Sequence, residues 1–310
     1  MRGSLAALRG RRVLVTGGAG FIGSHVVRAL VGHGAEVTVA DLRPCVEAGA
    51  RSVVGDLTDP GAVEAALDPG TEAVVHLAAV TSVLGSIERP VETFQTNVAL
   101  TAELLERARV AGVGTLVLAS TNAVVGSGGG ERRIDEWSTL RPLTPYGATK
   151  AAGEMLLSAS TSSYDVRGVA LRLTNVYGTG MGLKDSVVAR IMRAAESRAT
   201  FEVFGDGRQV RDYVYVDDVV AAVLLALTAD VAGPLVIGSG TSTSVLGLLD
   251  QAREATGAAL PVRHVPPKSG EMAGVAVDNG HARSLGWRPT VDVADGLARV
   301  WEAWGAGARA

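Results

Sequence analysis

The chain has 310 residues, 47% hydrophobic and 20% charged, with 32 acidic against 29 basic side chains and a formal charge of −3. This balance excludes disordered and fibrous classes and, with no long basic block, gives no support to a nucleic-acid surface; a small ligand is the better expectation. The longest apolar run, Val219 to Leu227, is about half of what a membrane helix needs, so no membrane partner is expected.

Leu5 to Leu8, between arginines, is too short for the apolar core of a signal peptide, and the lone Cys45 cannot form an internal disulfide. A cytoplasmic address follows as the expectation. No Cys/His spacing resembles a zinc site, so no metal is expected. Arg11 to Thr16 reads as a buried strand, followed by a glycine turn and a helix from Ile22 to Val31. The pattern recurs with strands near Glu36–Ala40, Ala73–Leu77, Thr115–Ala119 and Gly168–Leu173. Strands alternating with helices predict an α/β fold, a doubly wound parallel sheet covered on both faces. The longest helical segments are Val91 to Val110 and Tyr146 to about Ser160. After Leu173 the rhythm changes to a glycine-rich loop (Gly178 to Gly182), a basic helix (Ser186 to Arg198) and short strands. Residues 1–173 are therefore expected to form one domain and 174–310 mainly a second, smaller one. The apolar helix Asp217 to Leu227 rejoins the first at about 212–230, so the two interleave. Gly126 to Gly130 reads as a flexible loop.

Gly17, Gly18, Gly20 and Gly23 follow the first strand and open the first helix, the context that a dinucleotide fingerprint requires. The glycines permit a tight turn and close approach of a pyrophosphate to free helix amides. Asp41 ends the second strand, where a carboxylate accepts from both ribose hydroxyls and repels a 2′-phosphate; this favours NAD, with Arg43 as the counterargument. Asp56 and Leu57 suit an adenine contact, and small residues in Leu77, Ala78 and Ala79 let the backbone lie against a cofactor. His76 reads equally as a ligand or as a core histidine.

Tyr146 and Lys150 lie one helical turn apart on one face. Only three of the 29 basic residues are lysines, which makes that pair informative. A phenol of pKa about 10 is a poor base at neutral pH, and lowering it by about three units requires roughly 4 kcal/mol. A neighbouring ammonium and a charged nicotinamide are the expected sources. Thr121 offers a hydroxyl to share the proton, or alternatively a strand-end cap.

The glycine loop, Asp41, Asp56-Leu57, His76 to Ala79, Ser120-Thr121, Tyr146 to Lys150, Arg172 to Gly178, Gly205 to Asp212 and Leu285 to Trp287 together resemble the extended short-chain dehydrogenase/reductases. More narrowly, they resemble the NAD-dependent nucleotide-sugar epimerase/dehydratase branch, UDP-glucose 4-epimerase-like. The resemblance runs almost end to end. It implies a Rossmann-type NAD domain with catalytic Thr121, Tyr146 and Lys150. Cofactor contacts would come from Gly17, Gly20, Phe21, Ile22, Gly23, Asp41, Asp56, Leu57, Leu77, Ala78, Ala79, Ala119, Tyr146 and Lys150. It also implies a nucleotide diphosphate sugar held by Ser82, Thr121, Asn175, Arg211 and Lys268, with Asn97 behind them or else facing solvent. A homodimer through Val91–Val110 and Tyr146–Ser160 is implied as well. Lys268 stands in Lys-Ser-Gly-Glu where the family often has Arg-Pro-Gly-Glu, and Val125 stands where it commonly has tyrosine.

Family dehydratases usually carry Asp-Glu after the hydroxyl residue, and decarboxylases a glutamate nearby; this chain reads Thr121-Asn122-Ala123. The missing acid favours oxidation and re-reduction at C4, hence a UDP-hexose 4-epimerase. Gly182 replaces an arginine that grips the carboxylate in many UDP-glucuronate 4-epimerases, although Lys184 could serve an acidic sugar. A nucleotide-sugar 4-ketoreductase, a dehydratase and a non-catalytic NAD-binding sensor are the other readings.

Overall fold

The computed structural model describes residues 5–126, 133–182, 184–267 and 274–307. Lys268 lies outside the described residues, as do residues 127–130 of the glycine loop. A 3₁₀ turn, Leu5–Leu8, leads into β1 (Arg12–Thr16), α1 (Phe21–Gly32), β2 (Glu36–Asp41), β3 (Ala50–Val54), α2 (Ala62–Ala66) and β4 (Ala73–His76). Then come α3 (Val83–Glu88), α4 (Pro90–Phe94), a π-turn at Gln95–Ala99, α5 (Leu100–Val110), β5 (Thr115–Thr121), α6 (Pro145–Ser163) and β6 (Arg167–Leu173). The remainder is β7 (Asn175–Tyr177), α7 (Val187–Ser197), β8 (Phe201–Phe204), β9 (Val210–Tyr215), α8 (Val216–Thr228) and β10 (Gly233–Ile237). It closes with β11 (Ser242–Ser244), α9 (Val245–Thr256), β12 (Val262–Val265), α10 (Gly280–Ser284) and α11 (Val293–Gly307).

Seven parallel strands form the main sheet in the order β10-β6-β5-β4-β1-β2-β3. Its central strands are nearly continuous runs of Val, Leu and Ala because helices cover both faces. On one face α1 and α8 pack through Val26, Val27, Leu30, Val219 and Val223; on the other α5 and α6 pack through Leu104, Leu105 and Leu157. Each such fully buried aliphatic side chain is worth about 1.5–3 kcal/mol.

Of the strands of this sheet, β3 was expected only as an unbounded strand ahead of Asp56, and β10 was not expected. The edge strand β3 has mostly exposed residues and so lacks an apolar run to announce it. The other edge strand, β10, begins with Gly-Pro and comes after the chain has entered the smaller region, so it returns to the large sheet from beyond residue 230. Ala282 and Trp287 pack on this core too. The smaller region has its own core, in which α7, α9 and α11 cover β8 and β9 through Ile191, Met192, Phe201, Tyr213, Leu248 and Leu297. The expected long helix Val91 to Val110 is α4 and α5 joined by the π-turn; the extra residue per turn swings Asn97 inward, to 2% exposure.

Candidate active site

The carboxyl ends of β1, β2, β4 and β5 meet above the sheet, where doubly wound folds place ligands. Gly17 has φ +71°, and a Cβ there would stand 2.7 Å from the Ala78 amide nitrogen, so the turn and the Leu77–Ala79 wall pack closer than any side chain permits. Gly20 opens α1 with no side-chain cap and no acid in the first turn, leaving the amide end at Phe21 and Ile22 suited to an anion. Gly23 packs against Gly17 and Gly18, seating α1 on the turn. This close-approach turn fits the pyrophosphate of a dinucleotide.

Asp41 accepts from the Ala19 amide at 3.0 Å and from the Arg43 amide at 3.1 Å, while the Arg43 guanidinium donates to the Ala19 carbonyl at 2.9 Å. The two residues therefore brace the turn from opposite sides. Asp56 is exposed and caps its own turn through Thr58, whose amide and hydroxyl hold the carboxylate below its usual range; Leu57 is buried beside it. The Ala78 amide donates to the Thr16 hydroxyl at 3.3 Å, and Asn97 clamps the next residues by accepting from Val80 N (2.8 Å) and donating to Val80 O (3.0 Å).

His76 proves to be a core histidine, hydrogen-bonded to Thr16 at 2.7 Å and Thr101 at 3.1 Å. Thr101 already donates to Asn97 O, and Thr16 accepts from Ala78, so the consistent assignment has Thr16 donating to Nδ1 and Nε2–H donating to Thr101. Burial and the nearby Lys150 charge push its pKa down to about 3, keeping the ring neutral.

On the other wall, α6 begins behind the Thr144 cap and carries both Tyr146 and Lys150. The Tyr146 amide donates to the Ser86 hydroxyl at 3.1 Å, tying α6 to α3, and its phenol lies near the Thr121 side chain. Lys150 is 5% exposed and donates to the Ala119 carbonyl at 2.9 Å, which fixes its ammonium to the end of β5. Thr121 also accepts from the Ala123 amide at 3.2 Å, the strand-end cap that was one of its two expected roles.

The expected acidification of the phenol is not met by the chain alone. Burial pushes the Tyr146 pKa up to about 12, outweighing the lowering influence of the nearby Thr121 hydroxyl, and burial also brings Lys150 down to about 8. In a low-dielectric wall both groups favour their neutral forms, and the ammonium does not overcome that cost for the phenol.

One positioning group, Glu154, escaped the sequence reading, and a second, Asn97, was expected either behind the substrate residues or facing solvent. Glu154, one turn beyond Lys150, accepts from Arg172 at 2.8 Å and from Ser120, so a buried network bolts α6 to β5 and β6. Asn97 also donates to Thr149 at 3.0 Å, reaching α6 from the π-turn. The available signal for the first was a charged side chain at i+4 from Lys150 on a buried helix face.

The expected substrate residues divide. Asn175 donates to Asp212 O at 2.9 Å and, with Arg211, lines a cleft of about 280 Å³ between β7, β9 and α7. Arg190 stacks there 5.5 and 5.4 Å from the Phe201 and Phe204 ring centres. Tyr146 does not line this cleft. Ser82 is exposed and spends its hydroxyl capping α3 through Gly85 N at 3.0 Å. Among the described residues no cluster of His, Cys, Asp and Glu could hold a metal ion, and no helix is long and apolar enough to cross a membrane.

A glycine turn on a parallel sheet, facing a Tyr/Lys helix, defines a Rossmann-type NAD-dependent enzyme of the short-chain dehydrogenase/reductase type. The model for the NAD dependent epimerase/dehydratase family matches residues 13–238, and the chain belongs to that family. It is 34% identical to the putative UDP-glucose 4-epimerase of Methanocaldococcus jannaschii over 93% of this chain and 96% of the relative. The UDP-glucose 4-epimerase of Thermus thermophilus, solved with NAD, superposes with a TM-score of 0.90 at 36% identity, over 95% of this chain and 99% of that one. The dTDP-glucose 4,6-dehydratase of Streptomyces venezuelae, solved with NAD, gives 0.88 at 34%, over 96% and 97%. The cofactor is NAD, and both epimerases and dehydratases are among the structural matches.

Proposed function

We propose that this protein is a UDP-hexose 4-epimerase acting in the cytoplasm as a homodimer. The observation that carries the reading is the Tyr146 phenol set beside the Thr121 hydroxyl and one helical turn from Lys150, with the buried carboxamide of Asn122 next to Thr121 where elimination needs an acid. An amide cannot protonate a leaving hydroxyl. When bound, NAD supplies oxidation at C4 and returns the hydride. Tyr146 takes the proton from the C4 hydroxyl, Thr121 shares it, and Lys150 holds positive charge against the developing phenolate. Asn175 and Arg211 are placed to grip the diphosphate, for which a guanidinium fork is suited. Support for the dimer lies on α4 and α6, which pack together and leave Val91, Phe94 and Met155 in solvent.

The test is incubation of purified protein, without added cofactor, with UDP-glucose, UDP-galactose and UDP-glucuronate. Interconversion of the two hexoses is the expected result. Turnover confined to the glucuronate makes it a uronate epimerase, and a 4-keto product that accumulates or consumes NADH overturns epimerisation.

A further inference from the structure

Lys184 belongs neither to the Tyr146 wall nor to the nucleotide cleft. Its loop leaves β7 just after Asn175 and Tyr177, passes over the amino end of α1 and enters α7. The path is fixed at several points. Thr179 is hydrogen-bonded to His25 at 3.3 Å. Met181 is fully buried, its carbonyl accepting from the Lys184 amide at 2.9 Å, and Arg193 donates to the carbonyls of Gly182 and Lys184 at 3.0 and 3.2 Å. The Lys184 ammonium is thereby held 5.0 Å from the centre of the Phe21 ring.

Phe21 is the first residue of α1, whose uncapped amino end forms part of the pyrophosphate turn. Burial lowers the Lys184 pKa, and among the described residues no carboxylate forms an ion pair with it. A cation that has lost water gains from an aromatic face, but gains more from an anion. Its neighbours Asp185 and Ser186 line the nucleotide cleft, whereas Lys184 does not, so its side chain lies on the cofactor side of the loop. That placement disfavours the acidic-sugar role considered for it from sequence.

We propose that Lys184 is a cation for the NAD pyrophosphate, carried from the smaller domain across the phosphate-binding turn. Cofactor retention is thereby coupled to the loop that follows β7 and its Asn175. The inference rests on the NAD dependence of the family and holds whichever sugar is turned over.

The experiment measures binding of NAD, of UDP and of UDP-glucuronate to cofactor-stripped wild type, Lys184→Gln and Lys184→Arg, at several salt concentrations. The Gln variant is expected to bind NAD about 10-fold more weakly and with a shallower salt dependence, while UDP binding is unchanged and Arg restores NAD affinity. Unchanged NAD affinity in the Gln variant overturns the proposal, as does selective loss of UDP-glucuronate binding, which would make Lys184 a substrate carboxylate anchor. Should the Gln variant not fold, acylation of wild-type lysines read by mass spectrometry replaces it. NAD, but not UDP, is then expected to protect Lys184, and equal labelling with and without NAD contradicts the assignment.

Discussion

Tyr146 and Lys150 show what a spacing can and cannot reveal. Their separation in a lysine-poor chain identified the pair, but the sign of the phenol's shift depends on burial, which a spacing does not encode. From about 12, reaching neutrality requires about five units, or roughly 7 kcal/mol, more than the fixed ammonium provides in the chain alone. The positive nicotinamide ring is the remaining source. Ultraviolet difference titration, with Tyr146→Phe as the blank, is therefore expected to place the phenol near 12 without cofactor and several units lower with NAD bound; identical titrations would refute the assignment. Lys150 carries the complementary cost. Its folded pKa of about 8 lies below the ordinary 10.5, so the unfolded chain binds more protons between those values and stability rises with pH across that window. Lys150→Met should stabilise the protein by about 3 kcal/mol at neutral pH, an advantage that disappears above about pH 10, while abolishing turnover. Thermal melts at several pH values check this.

At the scale of elements, the glycine turn was the most legible feature because its constraint is local. Gly17 must adopt a positive φ and admit the Ala78 backbone, and both demands are written in one residue type. Gly17→Ala should lower NAD affinity by about 100-fold or more and leave α6 intact; NAD titration with circular dichroism distinguishes this from unfolding. Asn97 was harder to read. On a regular helix its direction was ambiguous, and only the π-turn shows that it links Val80 to Thr149. The bounds of edge strand β3 were illegible for a related reason, since a strand half in solvent has no continuous apolar signature.

For the whole molecule, α/β alternation sufficed to anticipate the large sheet, but not that β10 would complete it from beyond the small domain's first strands. That return is a long-range pairing, fixed by packing against β6 rather than by its own sequence. The exposed stripe on α4 and α6 makes a prediction at this scale. Val91→Arg with Phe94→Glu should convert a dimer to a monomer in light scattering while preserving bound NAD; an unchanged mass would rule out that face.

The central claim is that C4 is oxidised and then re-reduced by the same retained cofactor. UDP-galactose carrying deuterium at C4 tests it directly when mixed with the purified protein and no added NAD. The account predicts UDP-glucose with the deuterium still on C4, now in the inverted configuration. Deuterium recovered at C6, or a product with none, would contradict it.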